Sequence, residues 1–247
     1  MSGHSKWATI RRKKEKLDSA RGRAFSKLIK EITIAARLGG GDPGGNPRLR
    51  QAIDAAKASN MPAGNIERAV QKGTGDLEGV RYEDVTYEAY GPGGTALLID
   101  VTTDNRNRCV SEIRHIIAKN GGNMGEAGSV NWMFQRKGLV SLPAAGLEED
   151  TLMMAALDAG ANDIKLEDNY FQVITEPDSL EQVQTALKSA GFKVESATLA
   201  KLPQTYIPVN SVQAKQLLKL MEALDEHDDV QNVWSNCDFP EEVMAGE

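Results

Sequence analysis

Ten lysines and arginines crowd positions 6 to 30: Lys6, Arg11, Arg12, Lys13, Lys14, Lys16, Arg21, Arg23, Lys27 and Lys30. Trp7 stands near the start of the run, and Arg48 and Arg50 follow further along. Ammonium and guanidinium groups suit phosphates, and release of the counterions condensed around a polyanion drives their binding. Trp7 either stacks on an unpaired base or packs the N-terminal arm onto the helices behind it. The run carries no helix-turn-helix signature and no heptad after it, so reading of base sequence is not implied. A second basic pair lies in TDNRNR, residues 103–108, where Asp104 is suited to cap a helix with Arg106 and Arg108 in its first turn. Either the two arginines and the free backbone N–H groups hold a phosphate, or the arginines pair with Glu83, Glu88 or Glu112.

Other chemistry finds little support. His4, His115 and His227 with Cys109 and Cys237 show no CxxC, HxH or HExxH spacing, so no metal site is expected. Cys109 begins a helix, where a thiolate is favoured, yet its apolar neighbours suggest a buried thiol. The glycine-rich stretches 39–45 and 121–125 follow helices and match neither GxxxxGK[ST] nor a strand-linked GxGxxG. Scattered carboxylates, such as Glu167, Asp168 or those in residues 225–229, form no recognisable acid–base pair. Hydrolysis in a cleft between acidic domains is thus the weakest of three readings, and neither a cofactor nor a small-molecule substrate is expected.

The net charge of −6 conceals a split. Residues 1–75 carry 16 basic and 6 acidic side chains; the remainder is acidic by 16 charges. Such asymmetry points to a nucleic-acid-binding arm on an acidic body, against the plainer possibility of a solvated basic surface. Two cysteines make no disulfide framework, no apolar run follows the N-terminal charges, and no stretch approaches a membrane span. The expectation is a cytosolic protein without membrane contact.

The elements that must position these groups follow from periodicity. Phe25, Leu28, Ile29, Ile32, Ala35 and Ala36 share one face of a helix over 18–38, ended by GGGDPGGNP. Asn46 caps a second helix with Pro47 at its first position, and a third runs from near Pro62 to Gly73. After a hinge at 76–80, strands over 85–90 and 95–103 flank GPGG, a helix carries Val110, Ile113 and Ile117, and residues 129–134 read as a strand. Residues 136–202 read as a complete βαββαβ unit, and 203–236 add a helix and a strand. The fold class is α+β: a basic three-helix domain (1–78), then two ferredoxin-like α+β domains. The second is discontinuous (79–135 and 203–247), and the third (136–202) is inserted into it.

MSGHSKWATI, RGRAFSKLIKEITIAAR, GGGDPGGNPRLR, NMPAGNIERAVQKGTG, YEAYGPGG, TDNRNR, HIIAKNGGNMGEAGSV and DVQNVWSN together resemble the YebC family from end to end. Members are described as probable transcriptional regulatory proteins, and they are related to a mitochondrial translational activator of cytochrome c oxidase. The signature stretches show no departure; Gly44–Gly45 and the acidic C-terminal tail vary. The resemblance implies a helical domain and two α+β domains, and a cytosolic role in gene expression without catalysis. It leaves two partners open: DNA for a transcriptional regulator, or ribosomal RNA on the ribosome for a translation factor. A chain low in aromatics and lacking a recognition helix suits shape-reading of RNA at least as well.

Overall fold

The computed structural model describes residues 18–79, 81–167, 169–240 and 243. Helices α1 (Asp18–Gly39), α2 (Pro47–Ala58) and α3 (Ala63–Thr74) come first. Ile32, Ala35 and Ala36 of α1 meet Leu49, Ala52, Ile53 and Ala56 of α2 and Ile66 and Ala69 of α3. Small residues bring α1 and α3 close, and a Cβ on Gly73 would strike the Thr33 carbonyl. The Asn46 side chain accepts from the Leu49 N–H at 3.1 Å and donates to the carbonyls of Ala35 and Gly40 at 2.8 and 2.9 Å. One buried amide therefore caps α2 and satisfies the end of α1. Gly40, at φ +86°, turns the chain between them.

A hairpin of β1 (Glu83–Tyr90) and β2 (Ala96–Thr103) leads into α4 (Arg106–Lys119) and the short β3 (Asn123–Met124). Then come β4 (Phe134–Pro143), α5 (Glu149–Asp158), β5 (Asp163–Glu167), β6 (Tyr170–Thr175), α6 (Leu180–Ser189) and β7 (Ser196–Pro203). Their sheet runs β5-β6-β4-β7 with antiparallel neighbours, the ferredoxin-like order. Beyond it lie β8 (Ile207–Pro208), α7 (Ser211–Asp225), β9 (Val230–Ser235) and β10 (Cys237–Asp238). Asn210 and Gln213 form a capping box on α7.

The first sheet runs β3-β1-β2-β9, so its last strand comes from beyond the β4–β7 unit. Helices α4 and α7 cover one face through Ile113, Ile117, Leu217, Leu220 and Leu224. This sheet has the same layers as the second, but it opens on the hairpin. The strand expected over 129–134 is absent. Asn131–Met133 is a 3-10 turn, and Phe134 already belongs to β4. The Glu88 carboxylate takes up the N–H groups of Gly128, Val130 and Asn131, which a strand ladder would have used.

The two sheets meet through Leu98, Val130, Phe134, Ala200 and Trp234, an apolar joint. The apolar cluster of the helical domain, by contrast, draws only on residues between Phe25 and Val70. Because βαββαβ closes on itself, we expect residues 134–203 to fold alone, and the rest of the chain to fold when the gap is bridged. A cooperative thermal transition of the isolated fragment is the expected result. A fragment and a bridged remainder that are both unfolded would refute it.

Candidate nucleic-acid interface

Lys6, Trp7, Arg11, Arg12, Lys13, Lys14 and Lys16 lie outside the described residues, as do the side chains of Arg21 and Arg23, whose backbone forms the first turns of α1. The remaining candidates are placed in detail, and most of them meet carboxylates of the chain itself.

Lys27 and Lys30 sit one turn apart on α1, on the side facing the end of α7. Lys27 is buried, and its Nζ donates to the Asp225 carbonyl at 2.7 Å and to Asp225 Oδ1 at 3.1 Å. A cation at the C-terminal end of α7 is favoured by the helix dipole as well. Lys30 Nζ donates to the Asp228 carbonyl at 2.8 Å and to Asp229 Oδ1 at 2.6 Å. Arg48 forks onto Glu31 at 2.7 and 3.0 Å and reaches Asp84 at 2.7 Å. Hydrogen bonds to Glu31 raise its pKa further, against the effect of burial. Arg50 reaches Glu181 on α6 at 2.7 Å. These four side chains bridge the helical domain to both sheets, a role that spacing in the sequence did not reveal.

Asp104 does not cap α4. Asn105 does, accepting from the Arg108 N–H at 3.0 Å, because its extended backbone aims the side chain at the first turn. Asp104 instead holds Arg108 at 2.9 Å, Asp229 holds it at 2.8 Å, and Glu112 lies 3.9 Å away. Of the two readings of 103–108, the carboxylate pairing accounts for Arg108, with Asp104 and Asp229 joining Glu112 as partners. Arg106 stands exposed.

Asp229 is where these contacts converge. It is 3% exposed, yet it accepts from Lys30, from Arg108 and from Thr103 Oγ1 at 2.8 Å. Burial alone would raise its pKa, but the three donors outweigh it and bring the carboxyl down to about 2. Its neighbours Cys109 and His227 complete a set of possible metal ligands within 4.8 Å of one another, from distant parts of the sequence. The chemistry of this set does not fit a cation. Asp229 is already neutralised by two positive side chains. His227 Nδ1 accepts from the Asp229 N–H at 3.1 Å, and its Nε2 meets Glu112 at 2.8 Å. The Cys109 thiol is buried and pushed up to about 12, first by desolvation and then by the charge of Asp229, so it is no thiolate at neutral pH.

Other basic side chains of the helical domain, Lys57, Arg68 and Lys72, are exposed and face solvent rather than the acidic body. Among the described residues of that domain, these three are exposed cations on α2 and α3.

Replacing Asp229 with asparagine leaves Lys30 and Arg108 facing a neutral group, which removes both charge-assisted contacts and destabilises the fold. The expected readout is a lower urea midpoint at pH 7. The acid limb carries a second signature. The folded carboxyl lies below its unfolded value of about 3.9. Its contribution is therefore complete above pH 4 and lost as pH falls toward 2. Asp229→Asn should flatten that loss, and an acid limb identical to the parent's would show that the carboxylate is not held in this way.

The chain can be set beside known proteins. The model of the TACO1/YebC protein N-terminal domain matches residues 5–76, and that of the TACO1/YebC second and third domain matches residues 82–237. A probable transcriptional regulatory protein of Geobacter sp. (strain M21) is 54% identical over 244 residues, 99% of this chain and 98% of that protein. One from Chlorobaculum tepidum is 53% identical over 246 residues, again 99% and 98%. The crystal structure of a conserved hypothetical protein, Aq1575 from Aquifex aeolicus, superposes with a TM-score of 0.84 at 45% identity, covering 90% of this chain and 92% of that one. No described helix is long and apolar enough to cross a membrane. Two domain models that between them span nearly the whole chain, and relatives matched over 98% of their length, make this protein a member of the TACO1/YebC family.

Proposed function

We propose that this chain is a nucleic-acid-binding regulator of gene expression in the cytoplasm, a transcriptional regulator that grips DNA through its basic N-terminal domain. The observation that carries this reading is the charge split. Ten more basic than acidic residues lie in the first 75 positions, on a domain whose inward cations pair with the acidic body while Lys57, Arg68 and Lys72 point to solvent. The names of the relatives support the regulatory part of the reading. Lys27, Lys30, Arg48 and Arg50 hold the domains together in this arrangement and Arg108 is paired within its own domain, which leaves the phosphate contacts to the arm (Lys6, Arg11, Arg12, Lys13, Lys14, Lys16) and the outward face. A second reading, a translation factor on ribosomal RNA, is favoured by one feature, an indole exposed on the acidic body at Trp132.

Changing Arg11, Arg12, Lys13 and Lys14 together to alanine should weaken binding to duplex DNA. The slope of log affinity against log salt should flatten by about 3–4, since each neutralised phosphate contributes about 0.9. An unchanged slope would put the contact elsewhere. Sedimentation of a lysate with and without ribonuclease separates the two partners. Ribonuclease-sensitive migration with ribosomal particles favours the translational reading, and a soluble pool that crosslinks to discrete DNA sites favours the transcriptional one.

A further inference from the structure

Trp132 is 67% exposed, although its neighbours in alternate positions, Val130 and Phe134, are buried in the joint between the sheets. The ring is fixed nonetheless. Its Nε1–H donates to the Ser129 carbonyl at 3.1 Å, and the Tyr90 hydroxyl donates to the same oxygen at 3.3 Å. Two aromatic side chains thus share one acceptor, and Tyr90 is itself 36% exposed. The turn beneath them is anchored by Glu88, which accepts from the N–H groups of Gly128, Val130 and Asn131 at 2.6, 2.7 and 2.8 Å. Burial works against that carboxylate's charge, and the three N–H donors outweigh it, so it stays ionised and the turn stays closed.

A ring held in this way is pre-organised, so little rotamer entropy is lost when it is covered. The exposed surroundings decide what can cover it. Its exposed neighbours along the chain, Glu126, Ala127, Asn131 and Gln135, are polar or small, so the segment carrying the indole offers no run of exposed apolar side chains. A stable protein interface needs about 800 Å² from each partner. A nucleobase needs one flat ring, and stacking yields about 1–3 kcal/mol per base. Arg136, exposed just beyond, adds a cation for a phosphate.

We propose that Trp132, backed by Tyr90 on the turn that Glu88 closes, is a stacking platform for an unpaired base. The nucleic acid this chain engages then includes a single-stranded or looped segment. The proposal rests on the reading of the chain as a nucleic-acid binder and names the structural class of its ligand.

The test uses the full chain carrying Trp7→Phe, so that emission reports Trp132 together with the buried Trp234. The probes are an RNA hairpin with an all-adenosine loop and a blunt duplex of its stem. The hairpin should quench the emission. Trp132→Ala and Trp132→Leu should each weaken hairpin binding about tenfold, Trp132→Phe should retain most of it, and duplex binding should not change. The thermal midpoint should match the parent's, because the side chain buries little. Equal loss for hairpin and duplex would overturn the platform. So would a hairpin affinity unchanged in Trp132→Ala while the parent still binds with a steep salt slope, and that result would leave the charge-based reading standing. A parent chain that binds neither RNA nor DNA at low salt would overturn both.

Discussion

The seating of the helical domain on the second domain depends on one buried carboxylate. Asp229 can stay ionised at 3% exposure only if donors replace its lost water, and three do: Lys30 from α1, Thr103 at the end of β2, and Arg108 from α4. Its backbone is used too, with its carbonyl accepting from the Thr102 N–H at 2.8 Å and its N–H donating to His227. Three segments distant in the chain, α1, residues 102–108 and residues 227–229, therefore have to converge within hydrogen-bonding distance. The orientation of the helical domain on the body follows from that convergence, and the neighbouring Lys27–Asp225 and Arg48–Asp84 pairs reinforce it.

The consequence is a molecule with two kinds of joint. The two sheets share an apolar cluster, with the Lys201–Asp100 pair at 2.6 Å beside it. The helical domain is attached through charge, the same chemistry by which it would hold phosphate. Cations spent inside the molecule are unavailable outside it, so the basic run divides by position. Side chains from Lys27 onward that face the body fasten the domain, while Lys57, Arg68 and Lys72 remain on the outside.

Glu88 repeats the device on a smaller scale. It too is a buried carboxylate made tolerable by convergent donors, here three backbone N–H groups of a single turn. Where Asp229 sets the orientation of a domain, Glu88 sets the conformation of a loop. By closing that loop it removes residues 129–133 from any strand and leaves Trp132 standing between two buried neighbours. The other face of the same sheet is ordinary aliphatic packing, in keeping with a chain only 5% aromatic.

Local pattern was enough for most of the elements. The 3.6-residue spacing in α1, the Asn46–Pro47 start of α2, the hairpin around GPGG and the strand–helix order of β4 to β7 all depend on neighbours in sequence, and all could be read there. So could the charge asymmetry, and the family, through its signature stretches. What failed was whatever depended on a partner far along the chain. The turn at 131–133 reads as a strand because nothing nearby announces that Glu88, more than 40 residues earlier, takes its N–H groups. Lys27, Lys30, Arg48 and Arg50 look like phosphate ligands because a cation's spacing does not disclose which anion it will meet, whereas for Arg108 carboxylate pairing is one of the two readings the sequence offers. Asp225, Asp229, Asp84 and Glu181 are brought to them only by the fold. Periodicity is a property of a segment, whereas the state of a charge is set by everything within a few ångströms of it, and only the tertiary structure decides what that is.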